Sequence, residues 1–109
     1  VIDAGYAISP DGMKAQIESG IIYGLSAALY GEITIKDGAV AQSNFHDYPS
    51  VRMSKAPAIE THIINSGEVM GGAGEPGTPP IAPALANAIF NATGERIRHL
   101  PIKNSALKV

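Results

Sequence analysis

Residues 71–80, Gly-Gly-Ala-Gly-Glu-Pro-Gly-Thr-Pro-Pro, hold four glycines and three prolines around a single carboxylate. Glycine lets a backbone take unusual geometry or come close to a ligand, whereas proline fixes φ and removes an amide donor. The residue before a proline is pushed towards extended geometry, so Glu75 has a restricted backbone. A pliable approach followed by a stiff exit is one way to hold a lone acid in a fixed position. The same composition also marks a connector leading into a helix, and on local composition the two readings stand side by side.

The stretch divides two helical patterns. Ser9-Pro10-Asp11 is a helix-start signal, with a capping hydroxyl, a proline in the first turn and an acid near the positive end of the dipole. Ile17, Ile21, Leu25, Ala28 and Leu29 then recur at helical spacing, which predicts a helix over roughly residues 10–30. Glycine costs about 1 kcal/mol inside a helix, so Gly20 and Gly24 point to a close approach, with packing against a sheet as the simplest account. Residues 81–94 predict a second helix, with Pro83 early and Gly94 where a left-handed cap belongs.

Strand signals fill the remainder. Val1–Gly5 reads as the end of a strand. Residues 32–35 alternate, Lys36-Asp37-Gly38 turns, and residues 39–43 resume, which makes a hairpin candidate. Residues 44–49 read as a polar loop, 58–64 as a strand and 96–102 as a short closing strand. The order β-α-β-β-β-α-β predicts an α+β fold: one two-layer domain over residues 1–109, with two helices against a mixed sheet.

Charge and composition exclude several classes. A net charge of -2, with lysines and arginines scattered, gives no electrostatic reason to expect nucleic acid. The absence of cysteine excludes disulfides and any iron–sulfur cluster held by this chain. No apolar run is long enough to insert in a membrane. The first residue is not methionine, and the expectation is a piece of a longer chain. The compartment stays open between bacterial cytoplasm and periplasm. His46, His62 and His99 have no metal-ligand spacing, and no metal ligand is expected in the chain.

Residues 72–77 also match the dinucleotide fingerprint G-x-G-x-x-G, with Glu95 further on. The physics opposes that reading. A carboxylate amid the glycines repels a pyrophosphate, and Pro76, Pro79 and Pro80 remove the amide donors it needs.

Taken together, residues 71–89, the run Gln16–Ile33 and the linking Gln-Ser-Asn-Phe-His-Asp-Tyr-Pro of residues 42–49 resemble the C-terminal part of the molybdenum-binding subunit of the xanthine oxidase/aldehyde oxidoreductase family. The linking segment is similar to the isoquinoline 1-oxidoreductase branch. The similarity covers nearly the whole chain in the right order. It implies a molybdenum hydroxylase that acts on an N-heteroaromatic or aldehyde carbon with water-derived oxygen. Glu75 matches the glutamate of the family's Gly-Glu-Pro motif and is implied as general base. Gln16 matches the glutamine of the Gln-x-Glu-Gly motif, implied to hydrogen-bond the pterin, with Gly72, Ala73 and Gly74 as further cofactor contacts. Ser19 stands where the family carries glycine. The cofactor implied is molybdopterin with molybdenum, in a dinucleotide form, and iron–sulfur clusters are expected only on a partner subunit. The partners implied are the remainder of the molybdenum subunit, an iron–sulfur subunit and a small-molecule substrate. The isolated fragment is expected to be inactive. A rival reading from the residues is a non-catalytic assembly module whose glycine–proline loop only packs against a partner.

Overall fold

Helix α1 spans Pro10–Tyr30 in a computed structural model that describes residues 1–104. It starts as its sequence dictates: Pro10 occupies the first turn and the Ser9 hydroxyl accepts from the Gly12 amide at 3.4 Å. Its most buried positions are not the large apolar residues but Gly20, Gly24 and Ala28, spaced four apart on one stripe. Ile17, Ile21 and Leu25 are only half-buried. A stripe of small residues brings a neighbouring backbone closer than a leucine-lined face could, and this sets the packing of the whole chain.

The second helix, α2, spans Ile81–Thr93 and packs on α1. It ends at Gly94, whose left-handed φ of 75° lets its amide reach the Phe90 carbonyl at 2.8 Å. Both helices fall where periodicity and caps place them.

The strands are shorter than the sequence predicts. β1 (Ile2–Asp3) pairs in parallel with β4 (Ile63–Ile64), and β2 (Ile35–Lys36) pairs antiparallel with β3 (Ala39–Val40). The pairing is mixed, in two separate two-stranded sheets, and the class is α+β as expected. The hairpin turn is two residues, Asp37 and Gly38, both at positive φ, which matches the twist of the flanking strands. Only the end of the 58–64 run is strand. β1 sets Ile2 opposite Ile63, and residues 58–61 face no partner strand among those described.

The closing strand predicted over 96–102 does not form. That segment turns back onto α1 through side chains, with Pro101 and Ile102 buried and a 3-10 turn at Ile102–Asn104. Lys103 pairs with Glu32 at 3.2 Å just beyond the end of α1, and Arg96 stacks 3.3 Å over the Phe90 ring. Pro101 has no amide to donate to a ladder, so side-chain packing on the helix wins over pairing.

The core is thin. Among the described residues the buried apolar positions are Ala4, Ala7, Ala28 and Ile102. The chain presents 7834 Å² of accessible surface at 11.3 kDa, where a folded monomer of that mass presents about 5,700 Å². Phe45, Met53 and Val69 are among the large apolar side chains left in solvent. No helix among the described residues is long and apolar enough to cross a membrane.

Between β3 and β4 the chain is organised by polar groups. The Ser26 hydroxyl donates to the Ile22 carbonyl at 2.9 Å and accepts from the Val51 amide at 3.0 Å, tying the middle of the chain to α1. The Asp47 carboxylate accepts from the amides of Ser43 and Asn44 at 2.9–3.0 Å and from the Ser43 hydroxyl at 3.0 Å. These donors, the Asn44 and Ser43 amides foremost, lower its pKa from 3.8 to about 2. Because the folded value lies below the unfolded one, the turn is fully supported above about pH 4 and loses that support as pH falls through about 2. Acid titration by NMR is expected to show the Ser43 and Asn44 amides shifting with a midpoint near 2. A midpoint at the ordinary aspartate value of about 4 would mean the carboxylate is not held there.

Candidate functional site

The loop over residues 71–80 is fixed at both ends and free in the middle. At its start the Gly71 amide donates to the Ala4 carbonyl at 3.0 Å, just past β1. Asp3 supports that end by accepting from the Gly5 amide and the Ser66 hydroxyl, each at 2.9 Å, and these bonds lower its pKa, that from Gly5 most. At its far end Gly77 is pressed against α1. A Cβ added to Gly77 would stand 2.7 Å from the Ile17 carbonyl oxygen, and one on Gly24 would stand 2.7 Å from the Thr78 oxygen. Real Cβ atoms do not come so near, so backbone meets backbone here. The Thr78 hydroxyl closes the contact by donating to the Gly20 carbonyl at 3.1 Å. The close approach expected at Gly20 and Gly24 is therefore made, but by this loop and the start of α2 rather than by a sheet.

Between the anchors, the Thr78 amide donates to the Glu75 carbonyl at 2.9 Å, closing a turn with Pro76 and Gly77 at its centre. Pro76 has a fixed φ, and Glu75 before it is kept out of the helical region. Glu75 is thus set by a turn locked onto α1, with its side chain in solvent.

Glu75 stands on the ridge between two hollows. One, of about 530 Å³, is lined by Ser19, Gly20 and Tyr23 of α1 together with Gly74, Glu75, Thr78 and Pro79. The other, of about 410 Å³, is lined by Gly72, Gly74, Glu75, Pro76 and Pro79. Among the described residues the Glu75 carboxylate makes no hydrogen bond or ion pair, and the amides of Gly72, Ala73, Gly74 and Glu75 donate to nothing. A Cβ on Gly72 or Gly74 would meet no protein atom within 4 Å. These two glycines leave room beside the backbone, unlike Gly77, which internal packing demands.

The expected site residues are therefore partly gathered. Gly74 and Glu75 share both hollows, Gly72 joins the second, and half-buried Ala73 lines neither. Gln16 is exposed and lines neither hollow, but it precedes Ser19, Gly20 and Tyr23 by three, four and seven residues, the spacing of one helix face. Tyr23 and Thr78 do not stand out in the sequence as site residues. The i, i+3, i+4, i+7 pattern from Gln16 is the signal that finds Tyr23. The histidines lie apart from this cleft, and no group of three or more His, Asp or Glu able to hold a metal ion occurs among the described residues.

A small-residue helix stripe against a glycine-rich loop, with open amide donors beside a cleft of about 530 Å³, defines an α+β domain with a concave site on one face. The particular family follows from comparison: a model of the molybdopterin cofactor-binding domain matches residues 1–57, and the chain belongs to that family. It is 42% identical over 102 residues to the beta chain of an isoquinoline 1-oxidoreductase of Brevundimonas diminuta, a match over 94% of this chain and 13% of that protein. It is 40% identical over 103 residues to a membrane-bound aldehyde dehydrogenase of Gluconacetobacter polyoxogenes, again 94% of this chain and 13% of the relative. One component of a nicotinate dehydrogenase of Pseudomonas putida is 37% identical over 92% of the chain, which covers 8% of that protein. The crystal structure of a Cu,Mo-CO dehydrogenase superposes with a TM-score of 0.71 over 84% of this chain and 12% of its own, at 23% identity, and shares the fold. The chain thus spans a small part of each of these relatives.

The two kinds of glycine separate in a stability measurement. Gly77→Ala is expected to destabilise by about 1–3 kcal/mol, as overpacking does. Gly72→Ala should stay within about 0.5 kcal/mol. Urea unfolding followed by helical circular dichroism reads both, and equal effects would contradict the tight contact at Gly77.

Proposed function

We propose that this chain is part of the molybdenum-carrying subunit of a hydroxylase, contributing a general base and part of the cofactor's seat. The single observation that carries the reading is Glu75: a carboxylate without an internal partner, on a loop locked at both ends, between two hollows. The residues present fit a molybdopterin. Four free amides at positions 72–75 offer donors to a polar heterocycle, and Gly72 and Gly74 leave room for it against the backbone. Gln16, an amide that donates and accepts at once, extends the polar edge along α1.

When bound, the cofactor supplies the metal and the two-electron redox chemistry of the hydroxylation. This chain's part is to take a proton. The Glu75 carboxylate accepts it from the water-derived oxygen that attacks the substrate carbon, and the locked turn keeps that carboxylate in place throughout. Substrates of the N-heteroaromatic or aldehyde class fit the proposal, since the relatives' names divide between them. The cofactor is proposed in a dinucleotide form, with the iron–sulfur clusters on a partner subunit. Residues 1–109 are proposed to form one domain within the larger subunit, inactive alone. The excess of exposed surface over that of a folded monomer of this mass supports that placement, because it leaves apolar side chains that a surrounding subunit would cover.

The same exposed surface favours a second reading, in which the loop only packs against a partner subunit and has no catalytic part. Glu75→Gln in the full-length protein discriminates the two. Bound molybdopterin should persist while turnover falls by about 10²–10⁴-fold, the usual worth of a general base. Near-normal turnover would leave the assembly reading standing. Gln16→Ala should lower the molybdopterin retained on purification, read from the fluorescence of the released, oxidised pterin. Full retention would remove Gln16 from the cofactor's contacts.

A further inference from the structure

The hairpin β2–β3 has two unlike faces. Ile35 stands opposite Val40, and the Ala41 amide donates to the Thr34 carbonyl at 2.8 Å, which carries the ladder one pair further. Side chains alternate across a ribbon, so Ile33, Ile35 and Val40 share one face, and Thr34, Lys36 and Ala39 the other. The chain that follows returns to Ile33, where Phe45 and Tyr48 join it around a hollow of about 220 Å³ rimmed by Gln42, Ser43 and Asn44. Ile33, Ile35, Val40 and Phe45 are 52–73% exposed and Tyr48 36%, so among the described residues this apolar surface is left largely uncovered. It is nonetheless held in shape. The Gln42 carboxamide oxygen accepts from the Thr34 amide at 2.8 Å, its nitrogen donates to the Thr34 hydroxyl at 2.9 Å, and the Asp47 carboxylate fixes the turn that carries Phe45. No charged side chain lines the hollow.

We propose that this patch is a permanent docking surface for the remainder of the molybdenum subunit, which seats a large apolar side chain in the hollow beside Phe45. The proposal rests on the reading of residues 1–109 as part of that larger subunit, and it names a place where the two meet. Three observations select this occupant over a separate subunit or a second copy. The chain spans 13% of the isoquinoline relative, and a subunit of that length has ample chain to supply the cover. Its 7834 Å² of surface exceeds that of a folded monomer by about 2,100 Å², more than twice the roughly 800 Å² each partner gives to a standard interface. A patch of large apolar side chains without a charge resembles a domain core cut in half, whereas surfaces that partners leave and rejoin are more polar. A lone two-stranded ribbon is also marginal in water, and a covering layer supplies the burial it lacks.

The test is hydroxyl-radical footprinting of the unsubstituted full-length protein, read by mass spectrometry at Phe45 and Tyr48. Both rings should oxidise at least about tenfold more slowly than in the same protein digested to peptides, since a buried ring reacts only through rare local openings. The molybdenum subunit purified alone, and shown by light scattering to be a monomer, should keep that protection. Oxidation at the peptide rate overturns the proposal. So does protection that needs the iron–sulfur subunit, or that appears only when copies associate, because each gives the patch another occupant. Membership of a longer polypeptide is read separately, from the mass of the natural gene product, and the general base from turnover in Glu75→Gln. Failure of either is therefore distinguishable from failure of this contact.

Discussion

The structure depends on one contact of backbone with backbone, where Gly77 and Thr78 lie against α1 at Gly20 and Gly24. A single methyl at Gly77 or Gly24 would come within 2.7 Å of a carbonyl oxygen, so no other residue serves there without a shift. The contact does three things at once. It ends the glycine–proline loop at a defined height on α1, and it seats the start of α2, since Ile81 packs on the same Gly24. It also places Glu75, two residues before Gly77, at the edge of a cleft whose other wall is α1. Helix propensity lost at Gly20 and Gly24, about 1 kcal/mol each, is offset by an approach that larger residues would forbid.

What could be read in the sequence followed from short-range physics. Both helices, the Ser9 and Gly94 caps and the Asp37-Gly38 turn depend on residues a few positions apart, and all are found where the pattern puts them. Strand lengths depend on partners far along the chain. Residues 58–61 have β-forming character but no strand opposite them among the described residues. Residues 96–102 lose to a packing alternative, Pro101 and Ile102 against α1, that no local pattern reveals. The glycines show the same divide. Their number in residues 71–80 is plain, but only the fold distinguishes Gly77, which packing requires, from Gly72 and Gly74, which face open space.

The site was legible in a similarly uneven way. Glu75 stands out because a carboxylate between glycines and before a proline is an unusual choice for a plain connector, and the role proposed for it rests on resemblance rather than on spacing. The structure adds the reason such a loop can carry a function: Gly71 on Ala4 and Thr78 on Gly20 fix the two ends, so the residues between inherit their positions from β1 and α1. Tyr23 was missed because an aromatic residue within an apolar helix reads as core. Only its exposure and its place on the Gln16 stripe mark it as part of the wall.

The openness of the cleft follows from the same small-residue design. A helix face of glycine, serine and alanine admits a backbone on one side and, where no backbone lies, leaves a hollow. Ser19, Gly20 and Tyr23 line such a hollow directly beside the Gly77 contact. The residues that let the loop dock are thus continuous with those that leave space for a ligand. Proline then stiffens the loop before any ligand arrives, so little ordering entropy remains to be lost on binding. A group entering between α1 and the loop would displace solvent from Tyr23 and Pro79, meet the Gly74 backbone, and find the Glu75 carboxylate already in position.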